Sequence, residues 1–298
     1  MIRKIIASIK GAILLHNQFG VSYSQILKSF FTKDKTVTLR IGNLIFTKNV
    51  RRALYIARSL INIEKHGWKI TGTTDDLVIF ENKSIKLYSR IDDDIPYSSV
   101  IHEIFIKEEY KANVKDKVVI DVGAYCGESA IYFALQGAMK VIALEPDREN
   151  YKIALRNIRE NGLEDKIVLL NKALAPKEGT ISFYKYVHSS IANSTDPDNM
   201  DKLNDKIVIE QVEAITLDQL IGDEKIGLLK LDCEGCEYSV LNSFSGYDKI
   251  ENIILEYHNG LQNLPDLLKA NGFDFTIEEN RIRKWMGILR ATKRVRGV

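Results

Sequence analysis

The chain has little cysteine. Three residues in 298, Cys126, Cys233 and Cys236, are too few to staple a scaffold, and that scarcity points to a reducing, cytoplasmic compartment. No apolar run is long enough to span a bilayer. The isoleucine-rich start is broken by Lys10 and lacks a small-residue cleavage site, which makes it a poor signal peptide. Internal repeats and low-complexity tracts are absent. So is a Gly-Lys-Ser/Thr run after the glycine-rich turn described below, which excludes a P-loop. Cys233-x-x-Cys236 has neither a second pair nor nearby histidines, so it cannot complete a tetrahedral zinc site by itself. These two residues are expected to be buried thiols that pack as small hydrophobes.

What is present is the composition of a soluble globular protein, 45% hydrophobic and 28% charged, with net charge +2. The length allows one large or two modest domains. Charge is unevenly spread. From Met1 to Arg58 the only acid among many lysines and arginines is Asp34, and the last eighteen residues carry Arg281, Arg283, Lys284, Arg290, Lys293, Arg294 and Arg296. Basic ends around an acidic middle suggest solvated termini or an anionic partner surface. Ile2, Ile5, Ile6, Ile9 and Ile13 share one helical face, with Lys4 and Lys10 off it. Such a helix can lie peripherally on a membrane or dock on its own domain. A weakly alternating Thr38–Phe46, a helix over Val50–Lys65 and short strands at Trp68–Thr73, Leu77–Phe80 and Ile85–Tyr88 complete an N-terminal α+β extension, residues 1–95.

Residues 96–298 read differently. The strand Lys117-Val-Val-Ile-Asp121 runs into Val-Gly123-Ala124-Tyr-Cys-Gly127-Glu and then a helical pattern, giving a strand, a tight turn and a helix N-terminus. A second strand ends in Glu145, 24 residues after Asp121. An acid at roughly 20 residues on is placed to accept both hydroxyls of an adenosine ribose. The turn is not a dinucleotide fingerprint: its spacing is Asp-x-Gly-x-x-x-Gly, and Tyr125 and Cys126 would crowd a diphosphate. S-adenosylmethionine carries no phosphate. An acid at the base of the loop suits its ammonium, and a helix N-terminus suits its carboxylate. Beyond Glu145, helices and strands alternate: a helix over Asp147–Asn161, a strand at Ile167–Leu170, a hairpin-like Gly179–Tyr186 and a polar loop from His188 to Asp205. Next come a helix at Thr216–Leu220, a strand at Ile226–Leu231, a helix at Glu237–Phe244, a strand at Ile253–Tyr257 and a helix at Leu264–Ala270. Phe273–Ile277 and Trp285–Leu289 close the chain as an antiparallel pair. That order predicts a seven-stranded α/β sheet, Rossmann-like, with helices on both faces.

Four segments resemble the FkbM-type S-adenosylmethionine-dependent methyltransferases: Val-Ile-Asp121-Val-Gly-Ala-Tyr-Cys-Gly-Glu, Ala-Leu-Glu145-Pro, Asn171-Lys-Ala-Leu, and Leu229-Lys-Leu-Asp232-Cys-Glu234-Gly235-Cys-Glu237-Tyr-Ser-Val-Leu241. The last is similar to that family's Lys-Ile-Asp-Val-Glu-Gly-Ala-Glu block. The similarity runs from Glu103 to about Lys293. It implies a class I methyltransferase fold and methyl transfer to a hydroxyl oxygen of a sugar, glycan or other small secondary metabolite, with fold and cofactor transferring more safely than acceptor. Small apolar residues usually stand where this chain has Cys233 and Cys236.

Ligands of open α/β sheets bind at the carboxyl ends of the strands, where Asp121, Glu145, Asn171, Asp232, Glu256 and His258 would collect. The cofactor would then touch Asp121, Gly123, Ala124 and Gly127 with its methionine end, Glu145 with its ribose, and Asn171 and Ala173 with its adenine edge; Asp232 would lie beside the methyl. An alcohol acceptor needs a base, and the candidates are Asp232, Glu234, Glu256 and His258, the last two sharing a strand face. Mg²⁺ held by the same carboxylates is the other route. Cys126 and Cys233 follow adjacent strands, which leaves a disulfide between them open. Two other functions compete with small-molecule methylation. One is RNA methylation through the basic termini, disfavoured because Asp232, Glu234 and Glu237 would repel a nucleic-acid backbone. The other is a non-catalytic cofactor-binding partner protein.

Overall fold

A computed structural model describes residues 2–31, 36–74, 76–90, 97–187, 192–197, 206–280 and 283–294. The chain divides into two compact units, Met1–Glu108 and Glu109–Val298. The first holds α1 (Ile2–Phe19), α2 (Tyr23–Phe31), the strands β1 (Thr36–Ile41) and β2 (Leu44–Asn49), α3 (Val50–Glu64), the strands β3 (Lys69–Thr73), β4 (Leu77–Asn82) and β5 (Ile85–Arg90), and α4 (Tyr97–Ile101), which runs on as a π-helical turn at His102–Ile106. The weak alternation after Thr38 is an antiparallel β1–β2 hairpin, turned at Gly42 with φ of 57°. Asn49 caps α3 by accepting the Arg52 amide hydrogen, and that helix buries Ala53, Ile56, Ala57, Leu60 and Ile63. The strands β3-β4-β5 form a meander, and Trp68, just before β3, is 1% exposed.

The division falls later than the 95/96 boundary read from sequence. Residues 97–106 belong to the N-terminal unit because their side chains pack there. Tyr97 lies 5.6 Å from the Phe80 ring and Phe105 5.1 Å from Trp68. Ser99 and His102 are bonded by Tyr55 and Asn62 at 3.1 and 2.8 Å. Among the described residues no helix is long and apolar enough to cross a membrane. The side chains of residues 1–9, which carry most of the N-terminal isoleucine face, lie outside the described set, as do Arg281 and Arg296. Ile13, the last residue of that face, is 44% exposed.

The second unit contains β6 (Val118–Val122), α5 (Glu128–Leu135), β7 (Lys140–Leu144), α6 (Arg148–Glu160), β8 (Ile167–Leu170), β9 (Ala173–Leu174), β10 (Gly179–Tyr186), β11 (Ile207–Ile215), α7 (Leu217–Ile221), β12 (Leu228–Leu231), α8 (Cys236–Ser243), β13 (Asn252–Tyr257), α9 (Leu264–Ala270), β14 (Phe273–Glu279) and β15 (Gly287–Lys293). Seven strands form one sheet in the order β14-β15-β13-β12-β6-β7-β8. The strands from β13 to β8 are parallel, and β15 and β14 add antiparallel. β6 and β12 are buried at every position and are apolar except at Asp121 and Lys230. The chain leaves β6 toward β7 and β8 on one side and returns to β12 on the other. The crevice at the carboxyl ends of β6 and β12 is therefore the topological switch point of the sheet.

The segment Ile207–Ile215 was not anticipated as a strand. It pairs with β10 over eight residues, from Gly179↔Ala214 to Tyr186↔Ile207, and continues onto β9, making a separate three-stranded sheet. Only Ala214 of its nine residues is buried, so backbone pairing holds this strand and no alternation marks it. Residues 188–191 and 198–205 of the predicted polar loop lie outside the described set.

Candidate active site

The centre of the crevice is a lysine. Lys230 of β12 and Asp121 of β6 are register partners in parallel strands, so their side chains emerge side by side. Lys230 is 1% exposed and Asp121 is fully buried; Nζ and Oδ1 are 3.1 Å apart. The ammonium also donates to the carbonyls of Val122 (3.1 Å) and Gly123 (2.8 Å), and Asp232 Oδ2 is 3.7 Å away. Burial alone would lower the pKa of Lys230, but Asp121 and Asp232 outweigh it and leave the group above its ordinary value. Ser129 donates to the second Asp121 oxygen at 2.6 Å. Tyr110 places its ring 5.1 Å from the ammonium and its hydroxyl, donating, 2.8 Å from Asp232 Oδ2.

Next to this pair lies the glycine turn. The amides of Gly123 and Ala124 donate to the Leu144 carbonyl, and Asn157 bonds the Cys126 carbonyl, which pins the turn to β7 and α6. Gly123 has φ of 76°, and a Cβ there would overlap the Asp232 carbonyl oxygen, so only glycine fits. Gly127 opens α5. Glu145 is 5% exposed. One oxygen accepts the Tyr125 amide at 2.9 Å, and the other accepts the Asp147 amide at 2.9 Å and Asn150 Nδ2 at 3.4 Å. Burial pushes its carboxyl up to about 8, with Asp147 adding to the rise. Asn171 donates to the carbonyls of Glu145 and Pro146, and so braces this strand end. Ala173, expected at the adenine edge, instead packs its side chain with Ala175 and Ala214 in the small sheet.

The predicted acids after β12 and β13 do converge. Single ligand atoms of Asp232, Glu256 and His258 lie within 4.8 Å of one another. His258 is 1% exposed; Nε2 is 3.4 Å from Glu234 and 3.8 Å from Asp232, and Nδ1 is 3.3 Å from Glu237. Burial disfavours an imidazolium, yet Glu234, Glu237 and Glu256 raise the pKa of His258 well above its usual value. Glu256 is raised as well, by burial first and then by Asp232. Glu237 ties the turn together: its oxygens accept the amides of Cys233 (3.0 Å) and Gly235 (2.9 Å) while facing His258. Ser194 Oγ donates to the Glu234 carbonyl, and Asn193 donates to Asp147 at 3.0 Å, so the described end of the polar loop joins the two halves of the rim.

Two expectations need correction. Cys233 and Cys236 are joined by a disulfide and are not free thiols, because the turn over Glu234 and Gly235 brings their Cα atoms to 5.5 Å. Cys126 is the buried free cysteine, and no Cys126–Cys233 bond forms. The residues that sequence reasoning missed are Lys230, signalled by a lysine inside Leu228-Leu-Lys-Leu, and Tyr110, which has no local signal. The Asp232-Glu256-His258 group fits Mg²⁺ poorly. That ion takes hard oxygen ligands, whereas here one of three ligands is an imidazole with carboxylates against both nitrogens, and Lys230 stands beside Asp232.

The strand order, switch-point crevice and acid-lined rim are those of a class I methyltransferase. Residues 121–275 match the family model described as the methyltransferase FkbM domain, which is more than half of the chain. The chain belongs to the FkbM methyltransferase family. It is similar to uncharacterized protein 158B of Sulfolobus islandicus rod-shaped virus 1, 27% identical over 174 residues covering 57% of this chain and 81% of that protein. Methyltransferase sdnD of Sordaria araneosa is 26% identical over 239 residues, covering 68% and 90%. Among solved structures, the FkbM methyltransferase of Methylobacillus flagellatus KT is 15% identical with a TM-score of 0.45, over 64% of this chain and 47% of that one. The chain thus spans about half the length of that structure.

Replacing Lys230 with Met leaves Asp121 buried without its cation. Chemical denaturation should show this variant destabilised by about 3–5 kcal/mol, and adding Asp121→Asn should restore part of the loss. Equal stability of Lys230→Met and the parent would show that the pair is not what holds the crevice.

Proposed function

We propose that the protein transfers a methyl group from S-adenosylmethionine to a hydroxyl of a neutral small molecule or glycan. The observation that supports this most is the ring of carboxylates around His258, set against the glycine turn at the switch point. S-adenosylmethionine supplies an activated methyl on a cationic sulfur, and carboxylates at the rim favour that charge. Asp121 is committed to Lys230 and Ser129, so the methionine end would meet the turn of Gly123, Ala124 and Gly127 and the N-terminus of α5. Glu145 fits the ribose. Its carboxyl is dry and raised in pKa, and two hydroxyl donors would stabilise the ionised form.

Glu256 and His258 are both raised and favour their protonated forms, and Glu237 is occupied by two amides, so the partly exposed carboxylates of Asp232 and Glu234 are the acceptors proposed for the substrate's proton. His258 then orients Glu234 as an imidazolium and does not itself take the proton. Tyr110 and Lys230 fix Asp232. A cavity of about 640 Å³ shares Gly235 and Cys236 with this turn; hydrogen-bonding groups such as Ser182, Tyr184, Ser239, Asn259 and Gln262 line it beside apolar Leu174, Pro176 and Ile181, and among the described residues Asp196 is its one acid and no cation lines it. Such a lining suits an uncharged polyhydroxyl acceptor and not a phosphate backbone.

The ribose role has a pH signature. Below about 8 the Glu145 carboxyl is protonated and cannot accept from both hydroxyls, so calorimetric affinity for S-adenosylhomocysteine should rise from pH 6 to about 8 and then level off. Glu145→Gln should flatten that rise, and Glu145→Ala should lose about 1.5–3 kcal/mol for each hydrogen bond. An unchanged affinity in Glu145→Ala would refute the assignment.

Once an acceptor is identified from a panel of hydroxylated compounds, Glu234→Gln should depress kcat about 10²–10⁴-fold while leaving S-adenosylhomocysteine affinity near the parent value. His258→Ala should lower kcat and weaken the pH dependence of turnover. Equal loss of cofactor binding and turnover in both variants would mark these residues as structural.

A further inference from the structure

We propose that Cys233–Cys236 is a thiol–disulfide exchange site built into the active-site rim, opened by a dithiol reductant, and that its opening releases Glu234 from His258. The inference adds to methyl transfer and does not depend on it. The disulfide closes a four-residue loop, Cys233-Glu234-Gly235-Cys236, between Asp232 at the end of β12 and Glu237 in the first turn of α8. Within that loop Glu234 is held at φ of 55°, a left-handed conformation a non-glycine residue rarely adopts, and Gly235 at 118°. A Cβ on Gly235 would meet Asp196 at 2.9 Å, so the loop is also confined from outside. What the closed loop delivers is the Glu234 carboxylate, 3.4 Å from His258 Nε2, and two amides, of Cys233 and Gly235, aimed at Glu237.

The chemistry is balanced by the reductant. Cys233 is half-buried, while Cys236 is 4% exposed at the first position of α8. A thiolate of the dithiol attacks Cys233 Sγ, the disulfide breaks, and Cys236 leaves as a thiolate favoured by the helix N-terminus before taking a proton. The second thiol of the reductant then displaces Cys233. The reductant ends as a disulfide, and the protein gains two electrons and two protons. Cys233 Sγ lies 3.5 Å from Glu237 Oε1, so the freed thiol is pressed against a carboxylate that already accepts two amides. Without its covalent closure, the left-handed Glu234 relaxes and the amide–Glu237 bonds loosen.

The test uses the full folded chain. It is treated with dithiothreitol or left untreated, then alkylated with iodoacetamide under native conditions and mapped by mass spectrometry, alongside residue-resolved amide hydrogen exchange. The expected result is that Cys233 and Cys236 are alkylated only after dithiothreitol, with Cys126 unlabelled. The amides of Cys233 and Gly235 should then exchange on the order of tenfold faster or more, while those of β6 are unchanged. The Cys233→Ser/Cys236→Ser double variant should show the fast exchange with or without reductant. Alkylation without reductant, or no alkylation after it, would overturn the exchange site. Reduction with unchanged exchange at Cys233 and Gly235 would overturn the release of Glu234.

Discussion

Everything at the carboxyl ends of the sheet depends on one buried cation. Lys230 sits in the middle of β12, between strands covered on both faces, where an unpaired ammonium would be untenable. It is tolerated because Asp121 stands beside it in register and two backbone carbonyls and Asp232 complete its surroundings. The same contacts have a positional consequence. The carbonyls it holds are those of Val122 and Gly123, the residues that start the glycine turn. The lysine therefore fixes where β6 ends and how the turn begins, and a residue of the fourth parallel strand shapes the loop after the first.

This coupling is reinforced by the lack of space between the two loops. Gly123 abuts the Asp232 carbonyl so closely that no side chain fits, and Tyr110 reaches Asp232 from outside the sheet. The glycine turn and the acidic turn thus behave as one body. On the far side Glu237 performs the same service for the cysteine loop, accepting two of its amides while facing His258. A carboxylate that accepts two backbone hydrogen bonds is costly to move, so the position of Glu234 is set through its neighbours as well as by its own contacts.

Much of the sheet was legible because buried parallel strands are continuous apolar runs that end in a polar residue. β6 and β7 announce themselves that way, β12 does so but for Lys230, and Asp121, Glu145 and Asp232 fall at or beside their ends. The helix α9 coincides with its predicted span, Leu264–Ala270. What was not legible is long-range or two-sided. β11 is exposed and carries no period. Tyr110 meets Asp232 across 122 positions. The boundary at 108/109 follows from where Tyr97, Ser99, His102 and Phe105 find partners, and the composition does not change there. The Cys233-x-x-Cys236 spacing reads as two buried thiols, whereas the backbone turn between the cysteines brings their Cα atoms to 5.5 Å and joins them.

The acid cluster shows why residue type alone could not assign a base. Asp232, Glu234, Glu256 and His258 look equivalent as candidates on a string, and all four do arrive at one place. Burial then separates them. A buried imidazole with carboxylates facing both nitrogens is pushed toward its charged form, because those charges outweigh the loss of hydration. Glu256 is driven toward its acid form, by burial first and then by Asp232. Asp232 and Glu234 are partly exposed where Glu237 is fully buried, and they belong to the turn that borders the cavity. Position and burial, which residue type does not carry, therefore separate groups that are chemically similar.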